Sequence, residues 1–274
     1  MRTSLACGPV SWPLDRHTAV PAWRISPADP ACVLAFSTRQ GGVSEPPWDT
    51  LNLGLSTGDR PESVFENRRR LLESLGLGSA NLATAGQVHG TNVRLVSSPG
   101  DVPECDALLT LTPGLALAVA TADCMSLLYA APGAMAAAHA GWRGAAAGLP
   151  AATLRALCSA AAVPADSVRV ALGPCIRACC YEVGPDVARR FPETVVRTVR
   201  GGLRLDLPAF ARLRLLEAGL SPEAFEDTGI CTACAPSTCF SHRRDAGLTG
   251  RHWGLVALRS RALPAPLLES GAAL

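Results

Sequence analysis

The chain has 274 residues, 48% of them hydrophobic, with 25 basic and 23 acidic side chains for a net charge of +2. That composition can bury a sizeable core and excludes global disorder, and so small a charge argues against a nucleic-acid-binding or membrane-surface protein. Every basic residue is arginine and none is lysine, which beside so much Ala, Gly, Pro and Leu reads as codon bias in a GC-rich genome.

The opening MRTSLACG has a cysteine in a small-residue setting, as in a lipoprotein signal. Its apolar run is too short for an export signal, and Trp12-Pro13-Leu14-Asp15-Arg16 follows directly. The expected location is the cytoplasm, where the eleven cysteines stay reduced. Residues 31–37 (ACVLAFS) predict a strand leading into a turn at Gly41-Gly42. Residues 61–75 predict a helix capped by Thr57 or Asp59, with Pro61 in its first turn and Val64, Leu71, Leu72 and Leu75 in helical register.

Short strands are expected over 82–87, 93–96, 107–111, 115–122, 126–129 and 134–139. Residues 107–138 carry only one charge, Asp123, yet Pro113-Gly114 and Pro132-Gly133 cut them into strand-length pieces. Buried strands therefore account for them better than a membrane span. A helix over 145–161, kinked or delayed by Pro150, precedes a strand over 168–172 and helices over 183–191 and 207–218. Strands clustered between helices predict α+β or mixed α/β packing. With no repeat, linker or composition break, residues 1–274 are expected to form one domain.

There are five histidines: His17, His89, His139, His242 and His252. His89 follows a predicted strand in QVHG, His139 ends the alanine-rich run, and Cys124 lies between them at a break between strands. Two imidazoles and a thiolate suit a three-ligand zinc centre with an open position for water. Their spacing matches no short zinc motif, so spacing alone favours ordinary structural roles. It also leaves open a Cys124–His139 nucleophile–base pair. Cys231 and Cys234 have C-x-x-C spacing, but Cys175, Cys179 and Cys180 lack a matching one, so buried thiols are expected rather than a four-cysteine zinc. Arg39 and the SHRRD segment (241–245) could form an anion pocket if the fold brings them together.

The segments STRQGGVS (37–44), LNLGLSTGD (51–59), ENR (66–68), QVHG (87–90), TADC (121–124), HAGWRG (139–144), LGPCI (172–176), CYEVG (180–184), FSHRRD (240–245) and TGR (249–251) together resemble the YfiH, or laccase-domain, family. The resemblance runs from about residue 30 to the C-terminus. It implies a single α+β domain with two packed mixed β-sheets flanked by helices, residues 1–30 being an N-terminal extension. It also implies a catalytic metal centre of His89, Cys124 and His139 that takes Zn2+, with copper on metal substitution. Arg39, Arg143 and Arg243 fall in segments the family places around its pocket. His242 stands where many relatives have tyrosine and is not taken as a ligand.

The implied activity is phosphorolysis of adenosine, inosine, guanosine or methylthioadenosine to free base and ribose 1-phosphate, with adenosine deamination beside it. Deamination needs an activated water at the amine-bearing carbon, whereas phosphorolysis needs phosphate held by cations and a stabilised leaving base. The implied partners are a small nucleoside and phosphate, without nucleic acid or membrane, and the protein is expected to be a monomer or weak homodimer. Members are also labelled peptidoglycan-editing factors, which would use Cys124 and His139 as a hydrolase pair, and copper polyphenol oxidases. Five histidines cannot furnish a type 1 site plus a trinuclear copper cluster, so the oxidase reading is disfavoured.

Overall fold

A computed structural model describes residues 14–15, 20–25, 32–78 and 80–258. The strands run β1 (Leu14–Asp15), β2 (Ala22–Ile25), β3 (Cys32–Ser37), β4 (Leu82–Ala85), β5 (Val93–Leu95), β6 (Gly100–Val102), β7 (Ala107–Thr110), β8 (Ala116–Thr121), β9 (Met125–Ala131), β10 (Ala134–Ala140), β11 (Arg169–Leu172), β12 (Glu182–Val183), β13 (Val196–Val199), β14 (Gly202–Leu205), β15 (Phe225–Asp227) and β16 (His252–Leu258). The helices are α1 (Pro61–Ser74), α2 (Trp142–Ala146), α3 (Leu149–Ala161), α4 (Pro185–Ala188) and α5 (Leu207–Glu217). One mixed sheet has the order β1-β2-β3-β16-β8-β4-β6, and a second has β15-β11-β9-β10-β7-β5. A small sheet, β12-β14-β13, stands apart from both. The α+β class with two packed mixed sheets is the architecture present.

Strand alternation explains the layering. In β3, Leu34 and Phe36 enter the core between the sheets while Val33 and Ala35 face α1. In β10, Met135 and Ala137 face the same inter-sheet core, while Ala134, Ala136, Ala138 and Ala140 face α3 and α5. Four alanines in a row on that face let α3 pack close to the sheet. Glycine has the converse use at the sheet–sheet contact. A Cβ on Gly173 would lie 2.5 Å from both Phe36 and Ser126, so only the bare backbone fits.

Several predicted boundaries change. No side chain caps α1: its N-cap is Arg60, and Asp59 instead accepts from Ser44 Oγ (2.6 Å) and Asn52 Nδ2 (2.9 Å). Pro150 does not kink a continuous helix. Gly148, at φ +93°, separates α2 from α3, and Pro150 occupies the first turn of α3, where its missing N–H has no partner to lose. The helix predicted over 183–191 is an edge strand, β12, paired with β14, followed by the single turn of α4 between Gly184 and Phe191-Pro192. The predicted start of the 31–37 strand at Ala31 and the MRTSLACG segment lie outside the described residues. No helix among the described residues is long and apolar enough to cross a membrane.

His252, in β16, is 4% exposed, and its Nε2 accepts the backbone N–H of Phe240 at 2.7 Å. That bond puts the ring proton on Nδ1 and requires a neutral imidazole. Burial, aided by the Arg39 charge and opposed by the nearby backbone of Phe240, Ser37 and Thr38, holds its pKa down to about 4 from the usual 6.5. The unfolded chain therefore binds a proton in the window between those values that the folded chain does not. The stabilisation is complete above pH 6.5 and is lost as pH falls toward 4, amounting to about 3 kcal/mol. Chemical denaturation from pH 7 to 4 is expected to show this loss, and His252→Asn, which keeps an acceptor for Phe240, should flatten that limb.

Candidate active site

The site forms where strands of the two sheets end together. β10 delivers His139 next to its last residue, Ala140, opposite Ser126 of β9. Cys124 sits one residue before β9, in the turn from β8, and the preceding Asp123 has φ +86°. His89 arrives on the loop after β4, where Gln87 and His89 both have positive φ. Gln87 secures that loop by a two-way bond with the backbone of Ala120: its Nε2 donates to the carbonyl and its Oε1 accepts the N–H, both at 2.7 Å.

These three residues, 35 and 15 apart in the chain, place a ligand atom each within 4.8 Å of one another. The His89 and His139 rings meet edge to face at 4.8 Å. Gly141 closes the group: a Cβ there would lie 3.1 Å from both Cys124 Sγ and His89 Cδ2. A side chain at this position would therefore press on two of the three cluster residues, and glycine avoids that.

Asp106, fully buried, orders the centre. It accepts the backbone N–H of Val88 (3.2 Å), His89 (2.9 Å) and Gly90 (2.7 Å), and its Oδ1 lies 2.9 Å from His139 Nδ1. Burial pushes its carboxyl up, but His139 and the Gly90 and His89 N–H groups outweigh burial and hold it below the usual range. With Nδ1 donating to Asp106, His139 is left with Nε2 toward Cys124. Burial pushes the Cys124 thiol up, and contact with both imidazoles more than reverses this, to about 6. Burial likewise opposes charge on His139, and Asp106 and Cys124 raise it to about 9. The donor set is therefore a thiolate with two imidazoles, one held by a carboxylate. That is the chemistry of a three-ligand metal site with its outer support in place. The residues present fit a metal ion.

A cavity of about 740 Å³ opens from this cluster across the end of the first sheet. Its lining includes the small side chains of Ala118, Ala120 and Ala122 and the rings of Trp142 and Trp253. Of the predicted arginines, Arg143 and Arg243 line it and Arg39 does not. Arg39 pairs with Asp49 (3.1 Å), donates to the carbonyl of Pro236 (3.1 Å) and lies over the Phe240 ring, so its role is to hold loops together. Arg143 stacks on Trp142 at 4.4 Å, and Arg243 donates to the carbonyl of Glu182 (2.9 Å) at the rim. Trp142 itself packs against the helix-covered core while lining the cavity. His242 also lines the cavity, away from the three donors.

Two cationic residues that sequence reasoning passed over also line the cavity: Arg68 and Arg251. Both are half-buried, and burial lowers the pKa of each. Among the described residues neither has a carboxylate within ion-pair distance. Arg68 donates to the carbonyl of Leu53 and lies over Trp253, and Arg251 donates to the carbonyls of Thr249 and Gly250. The preceding Asn67 is fully buried, accepting the Val43 N–H (2.8 Å) and donating to Ser44 Oγ (2.8 Å). The 37–44, 51–59 and 66–68 segments thus form one polar knot that fixes Arg68. The available signal was that ENR and TGR each end in arginine.

The fold and site define a two-sheet α+β protein with a Cys/His cluster, able to hold a metal ion, at the sheet ends beside an arginine-lined cavity. The family model described as multi-copper polyphenol oxidoreductase laccase matches residues 33–259. A Deinococcus radiodurans protein called purine nucleoside phosphorylase is 41% identical over 235 residues, covering 83% of this chain and 89% of that one. The crystal structure of YlmD from Geobacillus stearothermophilus superposes with a TM-score of 0.83 at 33% identity, covering 88% of this chain and 96% of that one. A Bacillus licheniformis protein, YfiH, superposes with a TM-score of 0.84 at 29% identity, covering 90% and 98%. The chain belongs to the YfiH, or laccase-domain, family.

Proposed function

We propose that this protein is a zinc-dependent purine nucleoside phosphorylase that also deaminates adenosine. The observation that carries the reading is the junction of a supported thiolate–imidazole centre with two half-buried arginines in one cavity. Relatives bearing the name purine nucleoside phosphorylase support it. A half-buried cation paired with no carboxylate is short of counter-charge, and an anion in the cavity would supply it to Arg68 and Arg251. Phosphate meets that demand, accepting from guanidinium forks. Arg143 and Arg243 stand at the rim, where they draw in the anion. The rings of Trp142 and Trp253 and the small alanines line a space that suits a flat purine.

His89, Cys124 and His139 would hold the zinc, which would supply Lewis acidity there. The chain's own residues do the rest. Asp106 keeps His139 in the tautomer that presents Nε2, Gly141 lets backbone and substrate approach, and Tyr181 closes the cavity near Cys124. Burial, together with the Cys124 charge, raises the Tyr181 phenol to about 12, so it stays a neutral donor. The peptidoglycan-editing reading would use the Cys124–His139 pair covalently, but the approach of His89 to the same sulfur favours three ligands over a nucleophile and its base. The copper oxidase reading needs more imidazoles than the centre holds. His252 is committed to Phe240, and His17 lies outside the described residues.

The test is metal analysis of purified protein coupled to a nucleoside panel with and without phosphate. Base release from adenosine or inosine that requires phosphate is the expected result. A zinc-loaded protein that releases no base from any of the panel would overturn the reading.

A further inference from the structure

The spacing of Cys175, Cys179, Cys180, Cys231 and Cys234 predicts buried thiols, and the fold treats four of them otherwise. Cys179 and Cys180 lie on the turn after β11, and Cys231 and Cys234 on the segment after β15. Their sulfurs all come within 4.8 Å of one another, with Cys234 Sγ 3.3 Å from Cys180 Sγ and 3.7 Å from Cys179 Sγ. All four are free thiols. We propose that Cys179, Cys180, Cys231 and Cys234 bind a second metal ion, a structural zinc, separate from the His89–Cys124–His139 centre.

Zinc–sulfur bonds of about 2.3 Å arranged tetrahedrally place neighbouring sulfurs about 3.8 Å apart. The Cys179–Cys234 separation of 3.7 Å matches that edge, the Cys180–Cys234 separation of 3.3 Å is about half an ångström short of it, and both far exceed the roughly 2.05 Å of a disulfide. The donors are all sulfur, which is the closed set of a structural zinc site, with no position left for substrate. The backbone already holds the two segments together. Cys175 and Cys231 form a parallel bridge, the Thr232 N–H donates to the Cys175 carbonyl (3.1 Å), and Arg177 pairs with Asp227 while donating to the carbonyl of Ile230 (3.2 Å). Cys231 is buried while Cys179 and Cys234 are exposed, so the cluster is rooted in the fold and open to an ion from solvent.

Such an ion would brace one wall of the cavity. Tyr181 follows Cys180 directly. Thr232, between Cys231 and Cys234, donates to Asp123 Oδ1, and the other Asp123 oxygen accepts the Arg243 N–H at 2.6 Å. The Thr232 carbonyl also accepts from Arg244 at 2.8 Å. The clip therefore ties both rim segments to the residue preceding Cys124. Its existence does not depend on the phosphorylase reading.

The test is metal content of the full chain purified under reducing conditions. The readout is a difference: Cys179→Ser/Cys234→Ser, which spares buried Cys231, should carry about one zinc fewer per chain than the parent. That difference stands whether or not the first centre is loaded. Cobalt-loaded His89→Ala/His139→Ala protein should retain intense thiolate-to-cobalt absorption, and adding the two serine substitutions should abolish it. Equal zinc in the parent and the cysteine variant would overturn the proposal. So would a Cys180–Cys234 disulfide in the parent protein, or iron in place of zinc.

Discussion

Asp106→Asn is expected to weaken metal binding about 10- to 100-fold, the usual loss when the partner of a metal-bound histidine is removed. One carboxylate serves four donors: three backbone N–H groups of the His89 loop and the His139 ring. Asparagine has one acceptor oxygen and an amide that only donates. With the oxygen toward His139 and His89, the amide faces the Val88 and Gly90 N–H groups. Reversed, the amide meets His139 Nδ1 and draws the ring proton to Nε2, where it blocks ligation. Either orientation leaves a buried donor unmatched, at a cost of about 1–3 kcal/mol. Metal titration followed by competition with a chelator, with thermal unfolding of the metal-free form, measures both effects. A variant with parental affinity and unchanged Tm would show that Asp106 does not organise the centre.

The second large effect is expected at Arg251, a half-buried cation of the cavity whose guanidinium feels the charges of Cys124 and Asp123. Arg251→Met keeps the aliphatic stem against Gly54, which a Cβ would crowd at 2.6 Å from Arg251 Cγ. Two charge-assisted bonds at about 1.5 kcal/mol each give about 3 kcal/mol, or roughly 10²-fold in the KM for phosphate. The KM for nucleoside is expected to change only a few-fold. Steady-state kinetics with each substrate varied in turn separates the two. A variant that alters nucleoside KM while leaving phosphate KM intact would move the anion to Arg143 and Arg243.

The strands of the core were legible because apolar runs of strand length and the glycine–proline breaks between them are local signals. β7, β8, β10 and β11 fall where the apolar runs and breaks put them. The small third sheet was not legible: Glu182-Val183 reads as the start of a helix until pairing with Leu203 and Arg204 draws it into a strand. The partners of Arg39 were not legible for a related reason. An arginine at a strand end looks the same whether it meets an anion or, as here, Asp49 and the carbonyl of Pro236. Asp106 carried no signal at all, since one acid before a buried strand is commonplace.

The sequence by itself determined buried strands clustered between helices and, through its motifs, the family, whose resemblance implied the α+β two-sheet layering and the Cys/His centre. Only the tertiary structure decided that residues 89, 124 and 139 share one point, that Asp106 supports them, and that Arg68 and Arg251 rather than Arg39 face the cavity. Apolar runs and breaks act between neighbours in the chain. Sites arise from contacts between residues tens of positions apart, and those distances are set by sheet register and loop closure. Cys179, Cys180, Cys231 and Cys234 illustrate the difference: two unmatched spacings in the sequence become four sulfurs within 4.8 Å once β11 and β15 pair side by side.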